Sequence, residues 1–436
     1  MMSDADCAMS LAMEAAQLLR CATVSGKAAD EAEFVKLRDC LEELFPLVHS
    51  RCEVHLLGGS LLYRWPGIRS DRACLLMSHH DVVAADGQWI YPPFSGTVAS
   101  GKLWGRGALD VKANLYCILK AVEDLIKSGI TPAFDVYIAS SNAEEVGGNK
   151  LVADYLQMKG VNLIWLLDEG SAIQQSVDHA FSEPFAMVAL AEKGIVNVKC
   201  VAKGRGGHSS SPGKGTPLPR LAAFICEVEK TDLFPLHLDQ LSRELFRRLA
   251  AWSAGAAAER FSRIAGKEIG WRLLLTDKQR EMLGTTLAFT MAGGSLAPNV
   301  LPSEAFVVCN IRTAPGYSTD AVLTVLTDIA AKHDIALELL SAVEPSDVTD
   351  PASPAFKQLE MAVGEVWPQL KVLPCLLPGG TDTKHFTHIC SACLRFTPMQ
   401  VSAEQRAAIH GIDEHIDIEV LPAAVEFFKK MILTCT

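Results

Sequence analysis

Apolar residues recur three and four positions apart over residues 8–22 and 30–46, which predicts two amphipathic helices. Short apolar runs follow at 74–77, 136–139 and 163–167, with helical patterns between them at 114–128 and 150–159. Strand, helix, strand, helix is the sequence form of a mixed, mostly parallel sheet flanked by helices. From about residue 192 the pattern changes. Residues 195–203 alternate as a strand, 217–229 read as a helix, 287–292 and 305–312 as strands, 319–333 as a helix and 336–342 as a last strand. That β-α-β-β-α-β order is the ferredoxin-like α+β plan, and a mostly helical insertion at 232–285 interrupts it. A Pro-containing stretch, 344–354, reads as a return linker. A helix at 355–366, a strand at 372–377 and a helix at 421–433 then resume the first pattern. The organisation predicted is a discontinuous α/β domain, residues 1–191 and 347–436, with a smaller ferredoxin-like domain, residues 192–346, inserted in it.

Composition narrows the function classes. With 49% apolar and 21% charged residues in a chain of 436, there is ample material for a core, and disorder is excluded as the dominant state. A net charge of −11 repels phosphate backbones, so no nucleic-acid partner is expected. No apolar run approaches the ~20 residues that cross a bilayer, and no membrane partner is expected either. Asp4 and Asp6 stand where a secretion signal would carry positive charge, and no continuous apolar segment follows them, which predicts a cytoplasmic protein. The thirteen Cys lie singly in apolar segments, as at Cys74, Cys117, Cys200 and Cys309, the pattern of buried thiols in a reducing compartment. Cys390 and Cys393 form one CxxC with no second pair at zinc-ribbon spacing, so packing is the simpler reading for them.

Ligands of α/β sheets bind at the carboxyl ends of strands, so the polar residues just after the apolar runs are the ones to inspect. Ser78-His79-His80-Asp81 follows one run, Glu144 and Glu145 another, and Asp168 and Glu169 close a third. Asp110 ends the segment Gly105-Arg106-Gly107-Ala108-Leu109-Asp110 just before a helix, and His410 and Glu414 lie near the carboxyl end. Taken singly, an acid after a strand is usually a helix cap or a solvated loop residue. His80 points away from the face that His79 and Asp81 share, because successive strand residues alternate. Together they are harder to dismiss. Carboxylates crowded into a poorly solvated cleft repel one another at a cost of several kcal/mol, which a pair of divalent cations removes. Imidazole nitrogen and carboxylate oxygen without Cys suit Zn2+, with Mn2+ or Co2+ as substitutes.

These motifs, in this order, resemble the di-zinc metallopeptidase and amidohydrolase family of aminoacylase, acetylornithine deacetylase, succinyl-diaminopimelate desuccinylase and carboxypeptidase S. The resemblance runs through His79-x-Asp81-Val82-Val83, the GRGALD segment with Lys112, Glu144-Glu145-Val146-Gly147-Gly148 and Leu167-Asp168-Glu169-Gly170. It continues through Glu192-Lys193-Gly194, Gly206-Gly207-His208-Ser209-Ser210, the run from Ala297 to Pro302, Gly379-Gly380-Thr381-Asp382 and His410. The GGTD and LDEG segments and the long insertion are most similar to carboxypeptidase S and the N-acyl amino acid hydrolases. The resemblance implies a catalytic domain with an inserted lid. It implies His79 and Asp168 on one metal, Glu145 and His410 on the other, and Asp110 bridging the two. Asp81 would orient His79, and Glu144 would be the general base toward a water that the metals activate. In the lid, His208 resembles the oxyanion-stabilising His. Asn299 and Arg312 resemble substrate-binding residues, Arg312 taking a carboxylate bidentately, and Gly379, Gly380 and Thr381 would offer backbone amides to the same group. Two departures stand out: Val111 occupies the place where many relatives carry a second Asp, and Ser78 that of a frequent Gly.

The implied activity is hydrolysis of the amide bond of an N-acyl amino acid or of the C-terminal peptide bond of a short peptide. A dipeptidase or small-molecule deacetylase of the same family is the nearest alternative. A non-catalytic metal-binding scaffold is the rival from another class, and the presence of Glu144 beside a full set of ligands argues against it. The insertion is apolar enough to pack on the lid, shape an acyl-binding cleft or form a subunit contact. A homodimer or higher homo-oligomer through the lid is a further expectation from the resemblance.

Overall fold

A computed structural model describes residues 3–26, 30–175 and 178–434. The chain divides into two compact units, one of residues 1–190, 349–375 and 381–436, the other of residues 191–348 and 376–380. The short segment 376–380, which includes Gly379 and Gly380, groups with the second unit rather than with the surrounding catalytic-domain residues to which the sequence pattern assigns it.

The first unit is built on an eight-stranded mixed sheet. Its strands run in the order Glu53–Leu57, Ser60–Trp65, Phe134–Ser140, Arg69–Met77, Leu163–Gln174, Cys393–Gln400, Phe185–Glu192 and Lys371–Leu377. The three pairings among its centre strands are parallel, from Phe134–Ser140 through Arg69–Met77 and Leu163–Gln174 to Cys393–Gln400. Alternation along these strands supplies two buried faces. Leu75, Met77, Tyr137 and Ala139 pack with Val152, Ala153 and Leu156 of the helix Leu151–Met158. Cys74, Leu76, Val136 and Ile138 point the other way and are fully buried too. Helix ends follow local chemistry. Ser3 and Asp6 close a capping box at the start of Asp4–Leu19, and Asp30 caps Glu31–Leu44, which stops before Pro46.

Four strands of this sheet escape the sequence pattern. Phe185–Glu192 is buried at every position, so its apolar run has no period to read. Cys393–Gln400 carries a buried Arg395 and Pro398, types that usually argue against a central strand. Glu53–Leu57 and Ser60–Trp65 form an edge hairpin whose outer strand is largely exposed.

The second unit has the strand order Thr286–Gly293, Glu304–Thr313, Gly194–Lys203, Ala336–Val343, all antiparallel. Helices Pro217–Lys230 and Thr319–Lys332 bury Leu221, Phe224, Val228, Val322, Leu326 and Ile329 against Val196, Val198, Cys309 and Ile311 on one face of the sheet. The insertion is helical, with Gln240–Trp252, Gly255–Ala265 and Asp277–Leu283 as its α-helices. Among the described residues no helix is long and apolar enough to cross a membrane.

Candidate metal centre

Two parallel strand ends, the middle of a third strand and two loops of the first unit converge on one place; the third strand, Leu163–Gln174, runs on past Asp168 and Glu169 rather than closing at them as its apolar run suggests. Strand Arg69–Met77 runs directly into Ser78 and His79, and the backbone stays in register because Ser78 N–H donates to Ala139 O at 3.1 Å and His80 N–H to Ser141 O at 2.8 Å. His79 is buried, and its Nδ1 lies 2.9 Å from the backbone oxygen of Asp81 and 3.4 Å from Asp81 Oδ1. That leaves Nε2 facing the cleft, 3.1 Å from Asp110 Oδ1 and 3.9 Å from Glu144 Oε2. Asp110 uses its other oxygen too: Oδ2 is 3.1 Å from His410 Nε2, which is also 3.0 Å from Glu145 Oε2. One carboxylate thus spans two imidazoles. Donor atoms of His79, Asp110 and Glu145 all lie within 4.8 Å of one another.

Asp81 does more than the sequence pattern implies. Its Oδ1 accepts the Glu144 amide and its Oδ2 the Glu145 amide, both at 3.1 Å, so one buried side chain fixes the 3₁₀ turn Glu144–Val146 on which both glutamates sit. His80, by contrast, is a core residue. Its Nδ1 lies 2.8 Å from Ser140 Oγ, its ring meets Phe34 edge-on, and burial holds its pKa down to about 3.

A contribution missing from the sequence reading comes from Glu414. The strand His415–Asp417 pairs with Lys102–Trp104, His415 opposite Trp104, and this brings Glu414 against the GRGALD loop. Glu414 is fully buried. Its Oε1 accepts N–H groups from Leu109 at 2.8 Å, Asp110 at 2.9 Å and Gly107 at 3.1 Å, while Oε2 pairs with Arg106 at 2.7 Å. Arg106 also donates to Gly411 O at 2.8 Å. The Asp110 loop and the His410 loop are therefore clamped to each other by one ion pair. The signal in the sequence was an acid four residues after His410, and nothing in its spacing tells a brace from a solvated charge.

Asp168 and Glu169 divide their work. Asp168 Oδ2 accepts from Thr383 Oγ1 at 2.8 Å and Thr383 N at 3.1 Å, and Oδ1 from the Glu169 amide at 3.0 Å. Glu169 is buried with Oε2 lacking any hydrogen-bond partner, as is Glu145 Oε1. Both residues of the pair line the same pocket as His79, Asp382 and Ser141.

The electrostatics are those of a site built for positive charge. Burial pushes Glu144 up to about 8, with Asp382, Asp110 and Glu145 adding to the rise and His79 opposing it. Burial, with Asp168 beside it, drives Glu169 well above the usual carboxylate range, and burial raises Asp382 to about 6. Burial works against a charged His79, yet Asp110 and Asp81 raise it well above an ordinary imidazole. Hydrogen bonds that His410 donates to Asp110 and then to Glu145 lift it to about 10. Two protonated imidazoles among these carboxylates are compensation of the kind that cations provide. Orphaned buried oxygens on Glu145 and Glu169 and an all-nitrogen-and-oxygen donor set fit hard or borderline divalent metals.

The remaining predicted residues fall as follows. In the second unit, Gly207–His208 pairs with Val300–Leu301, and Ser209 N–H donates to Asn299 O at 3.1 Å, so His208 and Asn299 are neighbours on an exposed surface. His208 Nδ1 lies 2.8 Å from Ser210 Oγ. Arg312 donates to Asn310 Oδ1 at 3.3 Å and has no carboxylate within ion-pair distance among the described residues. A Cβ on Gly379 or Gly380 would meet nothing within 4 Å. Thr381, in the first unit, is buried and caps the turn Asp382–His385.

A mixed α/β unit that gathers imidazoles and carboxylates on its parallel strands and the loops beside them is the framework of a metal-dependent hydrolase. Residues 75–434 match peptidase family M20/M25/M40, and the chain belongs to that family, whose members are hydrolytic enzymes. Among its relatives, a probable carboxypeptidase S-like 2 from Dictyostelium discoideum is 30% identical over 92% of this chain and 79% of that protein. The human N-fatty-acyl-amino acid synthase/hydrolase PM20D1 is 30% identical over 82% of this chain and 73% of that protein. The fold is similar to that of an M20 family metallo-carboxypeptidase from Sulfolobus solfataricus, with a TM-score of 0.71 at 18% identity over 99% of both chains.

Two expectations follow. Protonated imidazoles compete with a cation for the same donors, so metal uptake should release protons and tighten as pH rises from about 6.5 toward 10. The sign for the metal-free protein is opposite. Stability from the raised His79 and His410 is complete below about pH 6.5 and declines as pH rises through their folded values. Calorimetric metal titration in buffers of different ionisation enthalpy, with thermal melts of the metal-free protein, measures both. Secondly, Glu414→Ala leaves Arg106 buried without its carboxylate. It should cost about 3–5 kcal/mol in urea unfolding and lower metal affinity, whereas Asp124→Ala, at a surface ion pair, should cost under about 1 kcal/mol.

Proposed function

We propose that the chain hydrolyses the amide bond of a small substrate whose scissile bond stands next to a free carboxylate, an N-acyl amino acid or the last peptide bond of a short peptide. The observation that carries this is Asp110, with one oxygen 3.1 Å from His79 and the other 3.1 Å from His410, beside a Glu144 whose carboxylate comes no nearer to His79 than 3.9 Å. His79 with the Asp168–Glu169 pair would hold one cation, Glu145 with His410 the other, and Asp110 would lie between them. Zn2+ is the metal proposed, with Mn2+ or Co2+ as substitutes. Within the acidic pair, Asp168 already has both oxygens engaged, so Glu169 is the better candidate to face the ion, with Asp168 and Thr383 holding it in place. The metals, when bound, would polarise the scissile carbonyl and make a water more acidic.

The chain's own groups supply the proton transfers and the substrate grip. Glu144, held by its amide to Asp81, takes a proton from the attacking water at its side-chain carboxylate and returns it to the departing nitrogen. His208 donates a hydrogen bond to the carbonyl oxygen as charge develops there. Arg312, with no acidic partner among the described residues, takes the substrate carboxylate as a bidentate fork, and Asn299 and the amides of Gly379, Gly380 and Thr381 complete the contacts. The names of the relatives, carboxypeptidase S-like and N-fatty-acyl-amino acid hydrolase, agree with a carboxylate-bearing substrate. The described cysteines form no disulfide, in keeping with a cytoplasmic enzyme.

A panel of N-acyl amino acids and dipeptides, offered to the zinc-loaded protein, tests the reading. Glu144→Gln should retain metal and lose turnover by at least about 10³-fold; full activity in that variant removes the proposed base. Glu169→Gln should lose metal more readily than Asp168→Asn, as read by metal content after dialysis. The reverse order returns the ligand role to Asp168.

A further inference from the structure

We propose that the turn between the last two α-helices of the insertion docks this protein onto an anionic lipid bilayer. Residues 266–275 are GKEIGWRLLL. The turn is ordered from within: Glu268 N–H donates to Arg263 O, Trp271 N–H to Glu268 O and Leu273 N–H to Gly270 O, and Gly270 takes the left-handed φ of +79° that the turn needs. Side chains then alternate. Trp271 and Leu275 go inward, only 8% and 6% exposed, while Ile269 and Leu273 stand out at 99% and 83%. Two large aliphatic side chains held in water by a well-bonded turn have no folding role to explain them.

The charge around them is net positive. Residues 240–283 hold nine Lys or Arg against five Asp or Glu, within a chain whose net charge is −11. The surplus is brought to this turn by backbone anchors. Arg243 Nε donates to Ala265 O at 3.1 Å, Arg272 donates to Leu236 O at 3.0 Å, and Arg280 donates to Arg272 O. Each of these contacts is to a carbonyl, which fixes the guanidinium without cancelling its charge. Lys267, in the turn itself, is exposed, and the turn's one acid, Glu268, pairs with Arg263 at 3.3 Å. Projecting aliphatic groups in a net positive segment match an anionic bilayer, where the chains enter the acyl boundary and the charges meet the headgroups. A nucleic acid rewards the arginines but not Ile269 and Leu273. A two-fold contact with a second copy would set this cationic patch against itself. The absence of a bilayer-length apolar run, from which no membrane partner is expected, does not bear on a surface patch of this kind, and the whole-chain charge of −11 conceals it.

Co-sedimentation of the full chain with phosphatidylcholine vesicles, with and without about 30% phosphatidylserine, tests the proposal. Binding to the anionic vesicles should be at least about tenfold stronger than to neutral ones, and raising the salt should weaken it. Ile269→Asp and Leu273→Asp should each weaken it about tenfold, and Lys267→Glu about fivefold. All three positions are exposed, so thermal melts should be unchanged, and hydrolysis of a short soluble substrate should be too. Three outcomes overturn the proposal: no binding of the unsubstituted protein to anionic vesicles, binding indifferent to Ile269→Asp, or a dimer in sedimentation velocity that Ile269→Asp dissociates while vesicles stay unbound. Tighter association with a DNA duplex than with the vesicles also overturns it.

Discussion

A dry cleft cannot hold several carboxylates unless positive charge comes with them, and the first unit is arranged around that constraint. Asp110 lies between two imidazoles, and its neighbours Glu144, Glu145, Glu169 and Asp382 are all at least partly withdrawn from water. The protein meets the requirement with protons on His79 and His410, which their carboxylate partners retain far above an ordinary histidine's range. Divalent ions satisfy the same requirement more completely, because each supplies two charges where a proton supplies one. Buried oxygens without partners on Glu145 and Glu169 are what a site shaped for larger, more highly charged occupants leaves behind.

Holding such a cluster takes a rigid surround, and the surround is polar too. Glu414 ties three consecutive-loop amides and Arg106 into one buried knot, and Asp81 ties the two glutamate amides. Each brace is an anion that accepts N–H groups, so the fold stabilises its functional carboxylates by surrounding them with further, fully bonded ones. What a buried acid faces decides its charge. Burial raises both Asp81 and Glu169, but the hydrogen bond and charge of His79 bring Asp81 below the usual carboxylate range, whereas Asp168 beside it drives Glu169 further up.

Much of this was legible in the sequence, for definite reasons. Helices such as Glu31–Leu44 and Pro354–Val366 carry an amphipathic period and a side-chain cap at Asp30 and Ser353, so both their existence and their starts could be read. His79, Glu144 and Glu145 stand just past strand ends, where the chain order of short apolar runs followed by acids and histidines exposes them, and Asp168 and Glu169 show up because the apolar run breaks at them although the strand goes on to Gln174. What stayed hidden depends on tertiary contacts. Phe185–Glu192 is buried on both faces and has no alternation. The separate duties of Asp168 and Glu169 depend on Thr383, more than two hundred residues away. Glu414 becomes a brace only when His415 pairs with Trp104. The charge of the insertion was readable by counting, but its gathering at one turn depends on arginines that reach across to distant carbonyls.

The Asp81 brace has a consequence for how such an enzyme can change. Because the two oxygens of one carboxylate grip two consecutive amides, any backbone shift that relocates Glu145 must carry Glu144 with it by a similar amount. Reactivity and ion geometry are therefore inherited as a package. Diversification toward new substrates has to proceed through parts of the chain that are free of this coupling, while the hairpin of acids at Glu144 and Glu145 stays frozen.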